Sequence, residues 1–187
     1  MIVSQHALKA AELIDRLVRL GRSGQGGLNP AQWQALRYLA RANRFSRTPA
    51  ALADYLAATR GTVSQTLIAL EAKGHVSRVQ SERDGRSVDV GLTAVGRDAL
   101  ARDPLTQLAV AIDDALGSQS SVLARGLAAT LDAAIRRNGG RAFGTCRACR
   151  HFRVVGAPGR AGHCALLDER LTEADAGSIC VEQVPAA

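Results

Sequence analysis

The four cysteines of this 187-residue chain all lie in its last 42 residues. Their pattern is Cys146-x2-Cys149-x14-Cys164-x15-Cys180. A CxxC pair brings two sulfur atoms close together, and two further cysteines can complete a site of four thiolates. All-sulfur sites of this kind bind zinc or an iron–sulfur cluster. The pattern therefore predicts a small metal-stabilised module at residues 139–187.

The charge balance suggests an anionic partner. The chain has 24 Lys and Arg against 17 Asp and Glu, a net charge of +7, and its hydrophobic content of 47% is that of a globular protein. An excess of positive charge favours nucleic acid as a partner. The N-terminus lacks the features of a signal peptide, and no apolar run is long enough to span a membrane. We therefore expect a cytoplasmic protein that makes no membrane contact and has reduced thiols, which disfavours disulfides.

Residues 1–138 are predicted to form one mainly helical domain with a small β-hairpin. Apolar residues recur every three or four positions over 4–21. Two further helices begin at a capping residue followed by proline, and a fourth has its apolar positions on one face. The two helices with proline start at Asn29-Pro30 and Thr48-Pro49, and the fourth helix spans residues 59–72.

The pattern changes to short β-like runs at 75–79 and 87–92, joined by a turn that contains Asp84-Gly85. Helical periodicity then returns up to about residue 135, with a weak point at Gly117, and Asn138–Gly140 reads as a linker. Three helices followed by a hairpin over residues 30–92 indicate a winged helix-turn-helix.

The fourth helix is the candidate DNA-reading element. With Val63, Leu67 and Leu70 facing inward, its other face is polar and suits the major groove. We expect DNA contacts from Arg60, Thr62, Ser64, Gln65 and Thr66 on this helix, and from Arg83 and Arg86 at the hairpin tip. Asp84 is expected to support Arg86 or the turn. Arg60 could contact base or phosphate, and the alternative is an ordinary solvated helix face with a charged turn.

Residues 28–96 resemble the MarR family of bacterial transcription regulators. The similar segments are Leu28–Leu39, Thr48–Leu56, Thr59–Leu67 continuing to Val76, and Arg83–Val88 followed by Leu92–Gly96. The resemblance implies a homodimer in which helices at 4–21 and 105–135 interlock. It also implies a palindromic operator in double-stranded DNA and a regulatory role, with repression favoured and a small-molecule effector possible.

The cysteine module is open to two main interpretations. Zinc ribbons usually contain two CxxC pairs, whereas the third and fourth cysteines here are single. Cys146–Phe152, Cys164–Leu167, Leu171 and Ser178–Cys180 resemble the cluster region of high-potential iron–sulfur proteins, although Ile179 replaces an aromatic residue of that pattern. We therefore favour a 4Fe-4S cluster on Cys146, Cys149, Cys164 and Cys180, with Zn²⁺ as the alternative. Metal-free thiols or disulfides are less favoured.

The surroundings of the cysteines give further expectations. His151 and His163 are expected beside the site but outside the ligand set, and the apolar shell is expected to comprise Phe152, Leu166, Leu167, Leu171 and Ile179. A cluster would sense redox or iron status and act on the dimer helices through the Gly139-Gly140 link. A zinc module would instead serve protein interaction and leave sensing to a separate effector pocket. The chain contains no enzyme motif, so we expect no catalytic activity.

Overall fold

The computed structural model describes residues 3–20, 27–82, 85–141, 143–155 and 162–186. Up to residue 137, the regular secondary structure of the described chain is helical apart from one antiparallel hairpin, in which Val76 lies opposite Leu92. The mainly helical class with a small wing is therefore confirmed. The elements are α1 (Gln5–Leu20), α2 (Pro30–Arg41), α3 (Pro49–Leu56), α4 (Arg60–Ala72), β1 (Val76–Gln80), β2 (Val88–Leu92), α5 (Ala94–Leu100), α6 (Leu105–Leu116) and α7 (Ser120–Arg137).

Local capping explains where these helices begin. Asn29 accepts a hydrogen bond from the Gln32 N–H at 2.9 Å, and the Gln32 side chain accepts one from the Asn29 N–H at 3.1 Å. This reciprocal pair satisfies two donors at the start of α2. The Thr48 and Thr59 hydroxyl oxygens cap α3 and α4 by accepting one N–H each, from Ala51 and Thr62. The helix starts predicted at all three positions are confirmed.

The core of the winged-helix body lies where α2, α3 and α4 meet the wing. Its fully buried aliphatic side chains come from every one of these elements, and each contributes roughly 1.5–3 kcal/mol by leaving water. Trp33 is buried, and Tyr55 is half-buried with its ring centroid 4.7 Å from that of Tyr38. The main aliphatic core residues are Leu36, Leu39, Leu52, Val63, Leu67, Leu70, Val76 and Val90.

Helices α1, α6 and α7 contrast with this core, because none of their residues is buried in the described chain. Each helix is nevertheless amphipathic and presents large apolar side chains to solvent. The clearest are Leu8, Leu13, Ile14, Leu17, Val18, Val110, Val122, Leu127 and Leu131. No described helix has both the length and the apolar content needed to cross a membrane.

The C-terminal segment is built from short strands. A two-stranded sheet pairs the first strand with the last, and a three-stranded antiparallel sheet lies between them in sequence. The elements are β3 (Gly144–Thr145), β4 (Phe152–Val154), β5 (Gly162–Cys164), β6 (Glu169–Leu171), α8 (Glu173–Gly177) and β7 (Ile179–Cys180).

This segment packs against the winged-helix body. Ile179 is buried in the core of the body, and Phe143 and Val181 pack beside it. The Ile179 carbonyl accepts a hydrogen bond from the Asn43 N–H at 2.9 Å. The boundary predicted at residues 138 and 139 therefore separates two sequence patterns, but the hydrophobic core extends across it.

Candidate nucleic-acid interface and cysteine site

Helix α4 carries five of the residues that are predicted to contact DNA. Val63, Leu67 and Leu70 are buried against the body. On the other faces of the helix, three of the predicted residues are exposed and two are half-buried. The exposed residues are Arg60, Thr62 and Gln65, and the half-buried ones are Ser64 and Thr66.

Hydrogen bonds within the helix divide this set further. The Thr62 hydroxyl lies 2.9 Å from the Thr59 hydroxyl, and the Thr66 hydroxyl donates to the Thr62 carbonyl at 2.9 Å. Across the residues that the structure describes, Arg60 and Gln65 make no side-chain hydrogen bond. These two long side chains are therefore best able to reach an external partner.

The wing lies beside this helix and is hydrogen-bonded to it. Arg78 on β1 donates from Nε to the Glu71 carboxylate of α4 at 2.8 Å, and this hydrogen bond lowers the pKa of Glu71. At the wing tip, the Gln80 side chain donates to the Gly85 carbonyl, and Arg86 is exposed. Arg83 and Asp84, the other predicted wing residues, lie outside the described residues.

The structure gathers three of the four cysteines in one buried cluster. Cys146, Cys164 and Cys180 are 5–8% exposed and pack with Phe45 and Leu171. Phe152 and Leu167 cover the cluster. Cys149 is half-buried, and its sulfur accepts a hydrogen bond from the Val184 N–H at 3.5 Å. None of the four forms a disulfide.

Part of the winged-helix body matches a known family model. Residues 26–87 match the model of the MarR family. The body has the MarR fold. No curated protein matches the chain.

Solved structures support this assignment of the fold. The transcriptional regulator BldR from Sulfolobus solfataricus is 23% identical with a TM-score of 0.56, covering 71% of this chain and 99% of BldR. A MarR transcriptional regulator from Methanosarcina mazei Go1 is 24% identical with a TM-score of 0.56, covering 68% and 97%. A probable transcriptional regulator from Pseudomonas aeruginosa is 25% identical with a TM-score of 0.51, covering 68% and 97%.

These coverages show that the chain is longer than the MarR-fold proteins it matches. Nearly the whole of each matched structure aligns, while about 30% of this chain has no counterpart in it. The chain thus combines a MarR-fold body with additional sequence.

The connector between α2 and α3, residues 42–48, carries the body's contacts to the cysteines. Phe45 packs into the cysteine cluster, and the Asn43 side-chain amide donates to Cys146 Sγ at 3.3 Å. Asn43 and Ser46 are 1% and 0% exposed. The sequence did not predict these three residues, because they lie about a hundred positions from the first cysteine and form no local pattern with it.

The electrostatic surroundings of Cys180 favour a negatively charged sulfur. Hydrogen bonds to the Cys180 sulfur from Cys146, Asn43, the Glu182 N–H and Ser46 lower its pKa, although burial opposes this effect. The hydrogen bond with Cys180 and burial raise the pKa of Cys146. One thiolate stabilised by several donors is the arrangement expected around a sulfur ligand of a metal.

Among the described residues, no group of three or more His, Cys, Asp or Glu side chains is placed to hold one metal ion. A zinc ion binds its sulfur atoms at about 2.3 Å, and a 4Fe-4S cluster takes each thiolate on a separate iron atom. Either group therefore needs all four thiolates to converge on it.

Two predictions about the surroundings of the cysteines were wrong. Ile179 packs into the body core, and Leu166 is 48% exposed. Phe152, Leu167 and Leu171 do pack against the cysteines, as predicted. His163 Nε2 lies 3.1 Å from Asp168 Oδ1.

Proposed function

We propose that this protein is a DNA-binding transcriptional regulator of the MarR type. The observation that carries the proposal is α4, whose inner face is buried and whose exposed Arg60 and Gln65 make no side-chain hydrogen bond with the residues that the structure describes. The wing beside this helix exposes Arg86. The net charge of +7 supports a nucleic-acid partner. The Pseudomonas aeruginosa protein, which matches at 25% identity, is described as a probable transcriptional regulator.

The functional form is a homodimer. Helices α1, α6 and α7 expose apolar faces that a soluble monomer rarely leaves in water. A second copy of the chain can cover these faces through the same helices, as a two-fold symmetric interface requires. Two copies of α4 would then face a palindromic operator.

The cysteines form the binding site for a 4Fe-4S cluster, held by Cys146, Cys149, Cys164 and Cys180. The site fits such a group, because three of its four sulfurs are buried among apolar side chains, and the Cys146 and Cys149 sulfurs accept N–H donors. The bound cluster would supply one-electron redox chemistry, and its state would report redox or iron status. The chain's own residues position the sulfurs and exclude water. Zn²⁺ is the alternative, and it would use the same four cysteines.

Anaerobic purification tests which metal the cysteines bind. A brown protein with a broad visible absorption band and about four irons per chain is expected for the cluster. A colourless protein with one zinc per chain would contradict it and support the alternative. Cys164→Ser should lose the metal.

Selection of a DNA duplex from a randomised pool tests the DNA-binding function. The selected duplex should bind the wild-type protein, and failure to select any sequence would contradict sequence-specific regulation.

A cavity in the winged-helix body could bind a small-molecule effector. A cavity of about 330 Å³ lies between α2 and α5 and is lined by Leu28, Trp33, His75, Asp98 and Arg102 among others. Trp33 Nε1 and His75 Nδ1 are buried and have no hydrogen-bond partner in the described chain. Because Trp33 is the single tryptophan, its fluorescence should change when a compound binds, and Trp33→Phe should weaken that binding.

A further inference from the structure

We propose that the connector, residues 42–48, forms one wall of the cysteine site and transmits the state of that site to the DNA-reading wing. This inference rests on the proposed function, because it assumes a metal on the cysteines and an operator for the wing. It assigns to the connector a role that the sequence pattern suggests for the Gly139-Gly140 link.

The side of the connector that faces the module is hydrogen-bonded at Cys146 and beside Cys180. Asn43 Nδ2 donates to Cys146 Sγ at 3.3 Å, and Phe45 packs into the cysteine cluster. The Ser46 hydroxyl accepts the N–H of Val181, the residue after Cys180, at 2.8 Å. Donors of this kind hold ligand sulfurs in position and respond to their charge.

The other side of the connector is bonded to the DNA-binding elements. The Arg47 carbonyl accepts the Val90 N–H of β2 at 2.7 Å, which attaches the connector to the wing. The Ser46 carbonyl accepts the Tyr38 hydroxyl of α2 at 2.7 Å, and Thr48 caps α3. One short segment therefore has direct hydrogen bonds to the cysteines and to three parts of the winged helix.

The connector is better suited than the link to carry such a signal. Asn43 and Ser46 are almost fully buried, so a change at the sulfurs must be accommodated by their neighbours. The link instead leads to α7, which we assign to the dimer interface and not to the wing. Loss of the metal would change the charge at the sulfurs, and two connector arrangements with different wing positions would couple metal binding to DNA binding.

Asn43 offers a matched pair of variants. Its Oδ1 accepts the Phe45 N–H at 3.1 Å, while its Nδ2 donates to sulfur. Asn43→Asp keeps the acceptor for Phe45 and removes the donor to sulfur, whereas Asn43→Ala removes both. A Gly-Ser insertion between Gly139 and Gly140 perturbs the link and leaves the connector intact. Circular dichroism and the oligomeric state show whether each variant is folded.

Two quantities should be measured on the full-length protein. The first is metal affinity, by competition with a chelator. The second is the ratio of Kd values for the selected duplex with metal-loaded and metal-free protein. We expect Asn43→Asp to weaken metal binding about 10- to 100-fold, as loss of a partner to a metal ligand typically does. We also expect it to bring the Kd ratio towards one, while the insertion keeps the wild-type ratio.

The contrary outcomes are distinct. If Asn43→Asp leaves metal affinity and the Kd ratio unchanged, or if only the insertion abolishes the ratio, the connector does not carry the signal. A wild-type ratio of one overturns transmission but leaves the metal site and DNA binding in place. A wild-type protein that binds neither iron nor zinc overturns the cysteine assignment itself, and this inference with it.

Discussion

Arg44 Nη1 donates to the Asp175 carboxylate at 2.7 Å, across the contact between the connector and α8. Arg44 also donates to the Arg170 carbonyl, and its guanidinium lies 4.4 Å from the centre of the Phe45 ring. Asp175 is 7% exposed. Burial alone would raise the pKa of Asp175, but hydrogen bonds from Thr172 and the charge of Arg44 hold it below its ordinary value. This ion pair therefore attaches the cysteine module to the body.

Arg44→Ala should loosen that attachment. It leaves a buried carboxylate without its cation, and because Arg44 is 42% exposed we expect a loss of only about 1–2 kcal/mol. Hydrogen exchange at β3 and β7 should accelerate, and the midpoint of urea unfolding should fall. The control is Arg19→Ala, which removes an exposed pair with Asp15 on α1 and should change little. Equal effects of the two variants would contradict a docking role for Arg44.

The Arg37–Asp103 pair should make stability depend on pH. The Arg37 guanidinium donates to both Asp103 oxygens, at 2.5 and 2.6 Å, and thereby lowers the pKa of Asp103. A carboxyl whose pKa is lower in the folded state stabilises the protein above its unfolded pKa of about 3.9. That contribution disappears as the pH falls through the lower, folded-state pKa.

Asp103→Asn should therefore destabilise the protein at pH 7 by on the order of 1–2 kcal/mol. The difference from wild type should shrink as the pH falls below 4. Urea unfolding of both proteins at pH 7, 5, 4 and 3 measures it. A difference that stays constant over this range would show that the charge of Asp103 does not provide the stabilisation.

Arg86 on the wing is expected to contact phosphate. Arg86→Ala should weaken binding to all duplexes by a similar factor and reduce the slope of log K against log salt by about one per copy. Fluorescence anisotropy at several salt concentrations gives the slope. Arg125→Ala on α7, an exposed arginine outside the reading face, is the control for net charge. An equal effect of Arg125→Ala would contradict a direct contact by Arg86.

Gln65 is expected to read a base, because it is exposed on α4 and makes no hydrogen bond within the described chain. Gln65→Ala should weaken binding to the selected duplex by about 1–3 kcal/mol and leave binding to random DNA nearly unchanged. Competition between the two duplexes measures this specificity. A parallel loss on both duplexes would instead indicate a phosphate contact.

The helices and their starts could be predicted because their signals are local. Asn29, Thr48 and Thr59 each cap a helix through residues three positions away. The position of the cysteine module could not be predicted in this way. The contact of Asn43 with Cys146 spans 103 positions, and no local pattern in the sequence indicates such a pairing.

Ile179 shows how strand geometry overrides proximity in sequence. Successive side chains of a strand point to opposite faces. Cys180 lies in the cysteine cluster, so its neighbour Ile179 on β7 faces the core of the body. The prediction that both line one site failed because it used distance along the chain. The prediction for Leu166 failed for a different reason, since Leu166 lies in the turn between β5 and β6 and is exposed to solvent.

The apolar faces of α1 and α7 should be covered by a second chain. Leu17 is 42% exposed in the isolated chain, and burying a leucine contributes about 1.5–3 kcal/mol per copy. Leu17→Glu would place a carboxylate in the interface and should convert the dimer to a monomer. Light scattering coupled to size-exclusion chromatography reports the mass. Val79→Glu on the wing, also exposed, is the matched control and should stay dimeric. A Leu17→Glu protein that remains a dimer would exclude α1 from the interface.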